Sequence, residues 1–363
     1  MTTAKTDQRY MDACLRLARR HRGLTASNPS VGTLLVQFEN DSAVIVGKGI
    51  TAKGGRPHAE RIAIDQAGDR AKGSTAYVSL EPCAHHGATP PCAQALIDAG
   101  VARVVTAWID PDTRVDGQGH RMLKDAGIQV ETGQGASTAE HDLGNYLNRK
   151  LKNRPYVTLK LAVSHDGKLG LPNQEIAITG ALVKNIVHRM RAENDAILVG
   201  RGTVEADDPE LTCRLNGLEN RSPQRFILDS SAQLPAGSHL AKTARDVPTH
   251  VVSTKSELPE NLATQGVKLF VAESHGGKLA LPEILEDMAA SGISSLMVEG
   301  GAAVATSFLE AGLVDEVAYL TGAASVGEGG IPSPVVQTEL TKSFNLARQL
   351  VLGDDKLDIY LKA

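Results

Sequence analysis

Apolar and polar positions along the first 150 residues follow two periods, one typical of helices and one typical of strands. Apolar residues at helical spacing predict helices, and short apolar runs bounded by turn residues predict strands. The predicted helices are 7–21, 58–69, 90–100, 120–127 and 138–152. The predicted strands are 31–37, 43–48, 75–80, 103–108 and 128–131. Such alternation predicts a sheet that helices cover on both faces.

A second series of elements begins after Asn153-Arg154-Pro155. Its predicted strands are 156–162, 196–200, 224–229, 249–253, 267–272, 295–299 and 317–320, followed by two strand-like segments at the C-terminus. Its predicted helices are 179–193, 281–291 and 302–312. Because 363 residues are long enough for two hydrophobic cores, we expect two α/β domains, residues 1–148 and residues 154–363.

Charge and composition limit the kinds of partner. The formal net charge is −4, aromatic residues make up 3% of the chain, and the basic residues form no block, so nothing indicates nucleic acid or anionic lipid. The N-terminus lacks the apolar core of a signal peptide, and no apolar run approaches the ~18 residues that span a bilayer. We therefore expect a cytoplasmic protein that acts on a small soluble molecule, with no nucleic-acid or membrane partner.

Cys83 and Cys92 lie in one short loop, EPCAHHGATPPC. The four cysteines, at positions 14, 83, 92 and 213, are too few and too unevenly spaced for a disulfide framework, so the close pair indicates metal binding or catalysis. Cys83 follows a predicted strand, and Cys92 follows two prolines that favour a helix start, where the helix dipole stabilises a thiolate. His58, in the segment PHAE, opens another predicted helix and supplies a third ligand.

These three ligands leave the fourth position of a tetrahedral zinc ion open for water, as in catalytic rather than structural sites. Zinc would lower the pKa of that water to about 7. Glu60, two residues after His58, is positioned to carry protons. Hydrolytic removal of an amino group from a ring requires these parts. An H-x-E at a helix start is by itself more often a pair of solvated residues, but the two cysteines and their prolines favour the metal site.

The segments GGRPHAE and EPCAHHGATPPC resemble the cytidine-deaminase-like zinc deaminases. Many members of that class separate the two cysteines by two residues, whereas eight separate them here, which is similar to the deaminase half of the bifunctional riboflavin-biosynthesis deaminase-reductases. The resemblance implies a three-layer α/β/α domain in which Asn28, in NPSVG, contacts the pyrimidine. His85 and His86 are either solvated loop residues or, because they lie near the metal, substrate contacts.

Two segments of the second half, LMVEGG (296–301) and AILVGRGT (196–203), run from a strand through glycine to a helix. Such a turn can hold a phosphate on free backbone N–H groups, although it is more often only a turn. The segments KLAVSHDGKLG, ADDPELTCR and VEGGAAVATSFLEAGLVDE are similar to the reductase domain of the same family. That resemblance implies a dihydrofolate-reductase-like α/β fold and NADPH as the cofactor.

The resemblance also assigns residues of this half to ligands. Cofactor contacts fall on Ala162, Thr203, Asp207 and Gly301, and substrate contacts fall on Arg191, Leu211, Arg214 and Glu299. Arginines suit a ribose phosphate because they offer charge-assisted donors, although each could also be an ordinary surface residue. One departure concerns 175–179: many relatives have Ser-x-Trp-Ile-Thr there, and this chain has Glu175-Ile-Ala-Ile-Thr.

The sequence therefore predicts a bifunctional enzyme. Its first domain would use zinc to deaminate a phosphoribosylaminopyrimidine, and its second domain would use NADPH to reduce the ribosyl group to a ribityl chain. Relatives further imply a homodimer formed through the reductase domain. Two alternatives stay open: a nucleic-acid base deaminase, which should show a basic groove and stacking aromatics, and a deaminase whose second domain only binds a ligand or dimerises.

Overall fold

The computed structural model describes residues 4–39, 42–85, 90–172 and 176–363. The chain divides into two compact units, Met1–Asn153 and Arg154–Ala363, and each unit has its own sheet and buried core. His86 and Glu175, which the sequence analysis singled out, lie outside the described residues. Within the described ranges, no helix is long and apolar enough to cross a membrane.

The described part of the first unit alternates strands with helices, as predicted. The strands are β1 (Gly32–Glu39), β2 (Ser42–Ile50), β3 (Thr75–Val78), β4 (Arg103–Thr106) and β5 (Gln129–Thr132). The helices are α1 (Ala4–Ala18), α2 (Ala59–Ala67), α3 (Cys92–Asp98), α4 (Gln118–Asp125), α5 (Ala136–Asp142) and α6 (Gly144–Leu151). The prediction of one helix over 138–152 is wrong, because the backbone leaves helical geometry at the buried Leu143 (φ −95°, ψ 3°).

The register of the sheet shows that α1 and α2 cover opposite faces. The sheet order is β2-β1-β3-β4-β5, with β1 antiparallel to both neighbours and β3, β4 and β5 parallel. A Cβ atom on Gly32 would lie 2.4 Å from a carbonyl of α1, and one on Gly49 would lie 1.9 Å from a carbonyl of α2. Gly49 pairs with Thr33, so it faces the side opposite to Gly32. The unit therefore has three layers, α/β/α.

The described part of the second unit holds a larger sheet. Its strands are β6 (Tyr156–Val163), β7 (Lys168–Gly170), β8 (Ala196–Gly200), β9 (Gln224–Leu228), β10 (Thr249–Ser253), β11 (Lys268–Val271), β12 (Ser274–His275), β13 (Lys278–Leu279), β14 (Ser295–Val298), β15 (Glu316–Thr321), β16 (Ile331–Pro332), β17 (Phe344–Leu352) and β18 (Asp355–Lys362). Its helices are α7 (Ala181–Glu193), α8 (Arg201–Asp207), α9 (His239–Lys242), α10 (Glu260–Ala263), α11 (Leu281–Ala290), α12 (Ala302–Glu310) and α13 (Gln337–Leu340).

The main sheet of this unit has the order β11-β10-β9-β8-β14-β6-β15-β18-β17 within the described residues. The strands from β11 to β15 in this order are parallel to one another. At the other edge, β18 pairs antiparallel with both β15 and β17. The central strands β8 and β14 are buried along most of their length, as expected for a parallel sheet covered on both faces. Because β8, β14 and β6 are neighbours, their carboxyl ends bring Gly200, Glu299 and Ala162 to one edge of the sheet.

Candidate active sites

Three segments of the first unit bring His58, Cys83 and Cys92 together. His58 is the N-cap of α2, Cys83 follows β3, and Cys92 is the first residue of α3. The Nδ1 atom of His58 lies 3.7 Å from the Sγ atom of Cys83 and 3.4 Å from that of Cys92. All three donor atoms lie within 4.8 Å of one another.

This geometry fits zinc. Zn–S bonds of about 2.3 Å and Zn–N bonds of about 2.0 Å at a tetrahedral angle would separate the N and S donors by about 3.6 Å. The observed separations of 3.4 and 3.7 Å lie on either side of that value. One histidine and two cysteines are also a donor set that zinc prefers, and they leave one tetrahedral position for another ligand.

The electrostatics of the two thiols also favour a cation at this place. A hydrogen bond with Cys92 is the main cause that lowers the pKa of Cys83 to about 4, and the same pairing raises the pKa of Cys92. Without a cation, ionisation of one thiol therefore opposes ionisation of the other. A divalent ion would supply the positive charge that allows both thiols to ionise.

Glu60 lies in the first turn of α2, beside these ligands, and its side chain is buried. Burial is the main cause that raises its pKa to about 7, and the charge of Cys83 adds to the effect. A bound cation would act in the opposite direction. The carboxyl group therefore lies where it can exchange a proton with a ligand at this centre.

A cavity of about 400 Å³ opens onto this centre. Its walls include Asn28, His58, Glu60, Cys83 and His85. The Asn28 amide packs closely against Gly55: a Cβ atom on Gly55 would lie only 2.2 Å from Asn28 Nδ2. Glycine at position 55 therefore leaves room for this amide. The Nδ1 atom of His85 is buried and has no hydrogen-bond partner among the described residues, so it is available to a ligand.

The sequence analysis missed the role of Glu81, the residue before Pro82-Cys83. Its buried carboxylate accepts hydrogen bonds from the backbone N–H groups of Asp110, Gly117 and His120, at 3.2, 3.0 and 3.1 Å. These groups belong to the loop after β4 and to the start of α4. Glu81 therefore fixes that loop beside the strand end that carries Cys83. An acidic residue directly before a metal-ligand motif is the signal that could have found it.

In the second unit, Arg191 and Glu299 form a buried ion pair. Arg191 donates from Nε and Nη2 to the two carboxylate oxygens, at 2.7 and 3.0 Å, and from Nη1 to the Thr212 carbonyl at 3.1 Å. Lys160, which the sequence analysis missed, lies 3.1 Å from the same carboxylate. Burial would raise the pKa of Glu299, but the charges and hydrogen bonds of these two cations lower it to about 2.

Thr203 and Gly301 also come together. The Gly301 N–H group donates to Thr203 Oγ1 at 3.2 Å, which joins α8 to the N-terminus of α12. A Cβ atom on Gly300 would lie 2.6 Å from Val304, so only glycine allows this approach of strand end and helix. The first N–H groups of a helix lack intrahelical acceptors, and their dipole favours anions, so this cradle fits a cofactor phosphate.

The remaining predicted residues of this unit differ in their exposure to solvent. Ala162 is half-buried near the end of β6, and Asp207 is exposed at the end of α8. Leu211 is buried with a positive φ of 55°, a strained conformation for leucine. Arg214 is half-exposed and pairs with Glu210 at 2.8 Å.

Arg225, which the sequence analysis missed, holds the loop that carries Leu211 and Arg214. Arg225 is fully buried and donates from Nη1 to the Glu210 carbonyl at 3.1 Å. Its other hydrogen bonds reach Thr249 and Thr243 and the carbonyls of Leu240 and Val247. The signal for such a role in the sequence was only a basic residue inside an apolar strand.

Two family models match the chain. The cytidine and deoxycytidylate deaminase zinc-binding region matches residues 4–108, and the RibD C-terminal domain matches residues 155–356. The riboflavin biosynthesis protein RibD of Aquifex aeolicus is 38% identical to the chain, and the similarity covers 98% of each.

Solved structures agree with these matches. Acinetobacter baumannii RibD has a TM-score of 0.85 at 32% identity, over 99% of this chain and 100% of that one. The Thermotoga maritima diaminohydroxyphosphoribosylaminopyrimidine deaminase/5-amino-6-(5-phosphoribosylamino)uracil reductase has a TM-score of 0.84 at 28% identity, over 99% of both chains. The chain therefore belongs to the RibD family of bifunctional deaminase-reductases of riboflavin biosynthesis.

Proposed function

We propose that residues 1–148 deaminate 2,5-diamino-6-(5-phosphoribosylamino)pyrimidin-4(3H)-one and that residues 154–363 reduce the ribosyl group of the product to a ribityl chain with NADPH. The observation that carries the proposal is the meeting of His58, Cys83 and Cys92 beside the buried Glu60 in one cavity. The activities of the Thermotoga maritima relative support the same substrate class.

In the first domain, His58, Cys83 and Cys92 would hold zinc. When bound, zinc supplies a Lewis acid that makes water nucleophilic near neutral pH. Glu60 accepts a proton as water adds to the amine-bearing ring carbon, and it returns a proton to the amino nitrogen. The C–N bond then breaks, ammonia leaves, and the ring keeps a carbonyl group. Asn28 and His85 orient the pyrimidine by hydrogen bonds, and His86 is proposed to join them.

In the second domain, Thr203 and Gly301 would bind NADPH at the N-terminus of α12, with Ala162 and Asp207 as further contacts. NADPH supplies the hydride that reduces the ring-opened sugar at its anomeric carbon. Glu299, Arg191, Leu211 and Arg214 would contact the substrate. The ion pair of Glu299 with Arg191 supports a shared role, in which the carboxylate orients the guanidinium and so fixes the donors that remain for the ligand.

We further propose a homodimer formed through the reductase domain. The edge strand β17 exposes Leu346 and Val351, which are 50% and 75% exposed, and an unpaired strand edge with apolar side chains favours pairing with a second copy. We also propose a cytoplasmic location, because all four cysteines are free thiols and a reducing compartment preserves that state.

The proposed activity can be tested by incubating the protein with the diaminopyrimidine substrate and NADPH while ammonia and NADPH absorbance are followed together. Glu60→Gln should keep its zinc and its reductase activity but lose ammonia release by at least roughly a hundredfold, because the amide cannot carry the proton. Asp65→Asn, on the exposed face of the same helix, is the matched control. Full ammonia release by Glu60→Gln would remove Glu60 from its role, and an absence of NADPH oxidation would favour a second domain that only binds ligand or dimerises.

A further inference from the structure

The cavity at the zinc ligands has a second wall that the deamination step does not use. This wall consists of the loop after β4 and the helix α6, and it carries Asp112, Arg114, Tyr146, Arg149 and Lys150. The loop begins at the carboxyl end of β4, and Cys83 follows the carboxyl end of the parallel neighbour β3. Parallel strands therefore place the metal ligand and this wall at the same edge of the sheet.

Asp112 organises two cations on this wall. Its carboxylate accepts hydrogen bonds from Arg114 Nε and Nη2, at 2.9 and 2.7 Å, and lies 2.8 Å from Lys150 Nζ. The Arg114 and Lys150 hydrogen bonds lower the pKa of Asp112, so it is ionised. Lys150 also lies over the Tyr146 ring, at 5.9 Å from its centre. The two cations are thus held in one place by a buried anion.

The cations on this wall outnumber the anions. Arg114 and Lys150 carry two positive charges against the single charge of Asp112, and Arg149 adds a third positive charge without an ion pair to a described carboxylate. Asp110, the nearby carboxyl group, accepts a hydrogen bond from Tyr146 at 2.7 Å, and burial raises its pKa. Glu81 is occupied by three backbone N–H groups. With Asp110 counted as ionised, the three cations still exceed the two cavity-lining carboxylates of the loop by one charge, which favours an anion such as a phosphate monoester.

The hydrogen-bonding capacity of the wall fits the same ligand. Lys150 uses one of three N–H donors on Asp112, and Arg114 uses two of its five side-chain donors. The remaining donors are available for charge-assisted hydrogen bonds to a ligand in the cavity. Both side chains are partly exposed, with 62% of Arg114 and 36% of Lys150 accessible, so a ligand in the cavity can reach them.

We propose that Arg114, Arg149 and Lys150, organised by Asp112, form the subsite that binds the 5-phosphate of the deaminase substrate. This inference rests on the proposed function, since it assigns the phosphate end of the molecule whose amine faces Glu60. The subsite selects the phosphorylated substrate over its dephosphorylated form, and it fixes the distance between the phosphate and the reacting ring carbon.

The test compares two substrates in the full-length, zinc-loaded protein: the phosphoribosylaminopyrimidine and the same molecule after phosphatase treatment. Ammonia release gives kcat/KM for each. Arg149→Met with Lys150→Met should lower kcat/KM for the phosphorylated substrate roughly tenfold to a hundredfold, mainly through KM, and leave the dephosphorylated substrate unaffected. Lys150→Arg should keep most of the preference. Lys48→Met, an exposed lysine on β2 away from the cavity, is the control. Zinc content and thermal unfolding establish that each variant is folded.

The outcomes separate the two proposals. A selective loss with the phosphorylated substrate supports the subsite. An unchanged ratio between the two substrates in the double variant overturns it, and so does an equal loss with both, because that indicates a structural role for the two side chains. If the wild-type protein releases ammonia from neither substrate, the proposed deamination itself fails.

Discussion

Each unit has one cluster of ionisable groups that are kept away from water. These are His58, Cys83, Cys92 and Glu60 in the first unit, and Lys160, Arg191 and Glu299 in the second. The two clusters differ in how their charges are compensated. The first has two thiols and a buried carboxyl group and needs a cation that the chain does not contain. The second pairs its buried carboxylate with cations of its own chain, as Lys160 and Arg191 meet Glu299 at distances of 2.7 to 3.1 Å.

This difference has a consequence for folding and for ligand binding. A cluster completed by an external ion depends on metal supply and can be emptied without changing the chain. A cluster completed by the chain is part of the folded state, and loss of one member leaves uncompensated buried charge. The first unit should therefore respond to chelators, and the second to substitution.

The largest expected effect is that of metal removal. Treatment with a strong chelator should reduce ammonia release by at least about a thousandfold, because unassisted water is a weak nucleophile at neutral pH. NADPH oxidation with the deaminated substrate should be unchanged, and added zinc should restore deamination. Elemental analysis before and after treatment provides the check. A parallel fall of both activities would contradict the separation of the two clusters.

Next in size is Glu299→Gln. Glu299 is the carboxylate that Lys160 and Arg191 share, and the substitution removes its charge. We therefore expect a loss of about 3–5 kcal/mol in the free energy of unfolding of the second unit. Denaturant titration monitored by far-UV circular dichroism measures this loss independently of activity. The control is Glu193→Gln, whose partner Arg189 is 68% exposed, so that this pair is worth at most about 1 kcal/mol. Equal losses of unfolding free energy in the two variants would show that the buried cluster stabilises the unit no more than the Arg189–Glu193 pair does.

The smallest expected effect concerns His250 on β10, a half-buried group with no counter-charge among the described residues. Its ring stacks on Phe226 at 4.5 Å, and its Nε2 atom has no hydrogen-bond partner among the described residues. Burial, with a smaller effect of Lys268, lowers its pKa to about 4. The folded state thus favours the neutral ring. The contribution of His250 to the free energy of unfolding is therefore complete above its unfolded pKa of about 6.5, and it is lost as pH falls from there toward 4.

His250→Phe keeps the stacking but removes the titration. Between about pH 8 and about pH 5, the variant should lose about 1 kcal/mol less stability than the wild type, after allowance for partial exposure of the ring. Denaturation midpoints at the two pH values measure the difference. The same pH dependence in both proteins would show that His250 does not contribute to it.

The apolar pattern was sufficient for most of the fold, because sheet strands and amphipathic helices leave a local period in the chain. It placed β8 and β10 at their observed bounds. It failed at Leu143, where a long helical pattern is interrupted, and it gave no bounds for α8, which is short and mostly polar. The candidate metal ligands could be predicted from the sequence because Cys and His are rare residue types that have few other roles beside proline.

What the sequence determined by itself was the alternation of elements, the three candidate metal ligands and the family resemblance, since each depends on residue type and local spacing. Only the tertiary structure decided that Glu81 anchors the loop after β4, that Lys160 joins Arg191 at Glu299, and that Asp112, Arg114 and Lys150 share the zinc cavity. These contacts join residues far apart in the chain, and charged residues of this kind are usually solvated. Their partners follow from strand order and helix placement, which no local pattern contains.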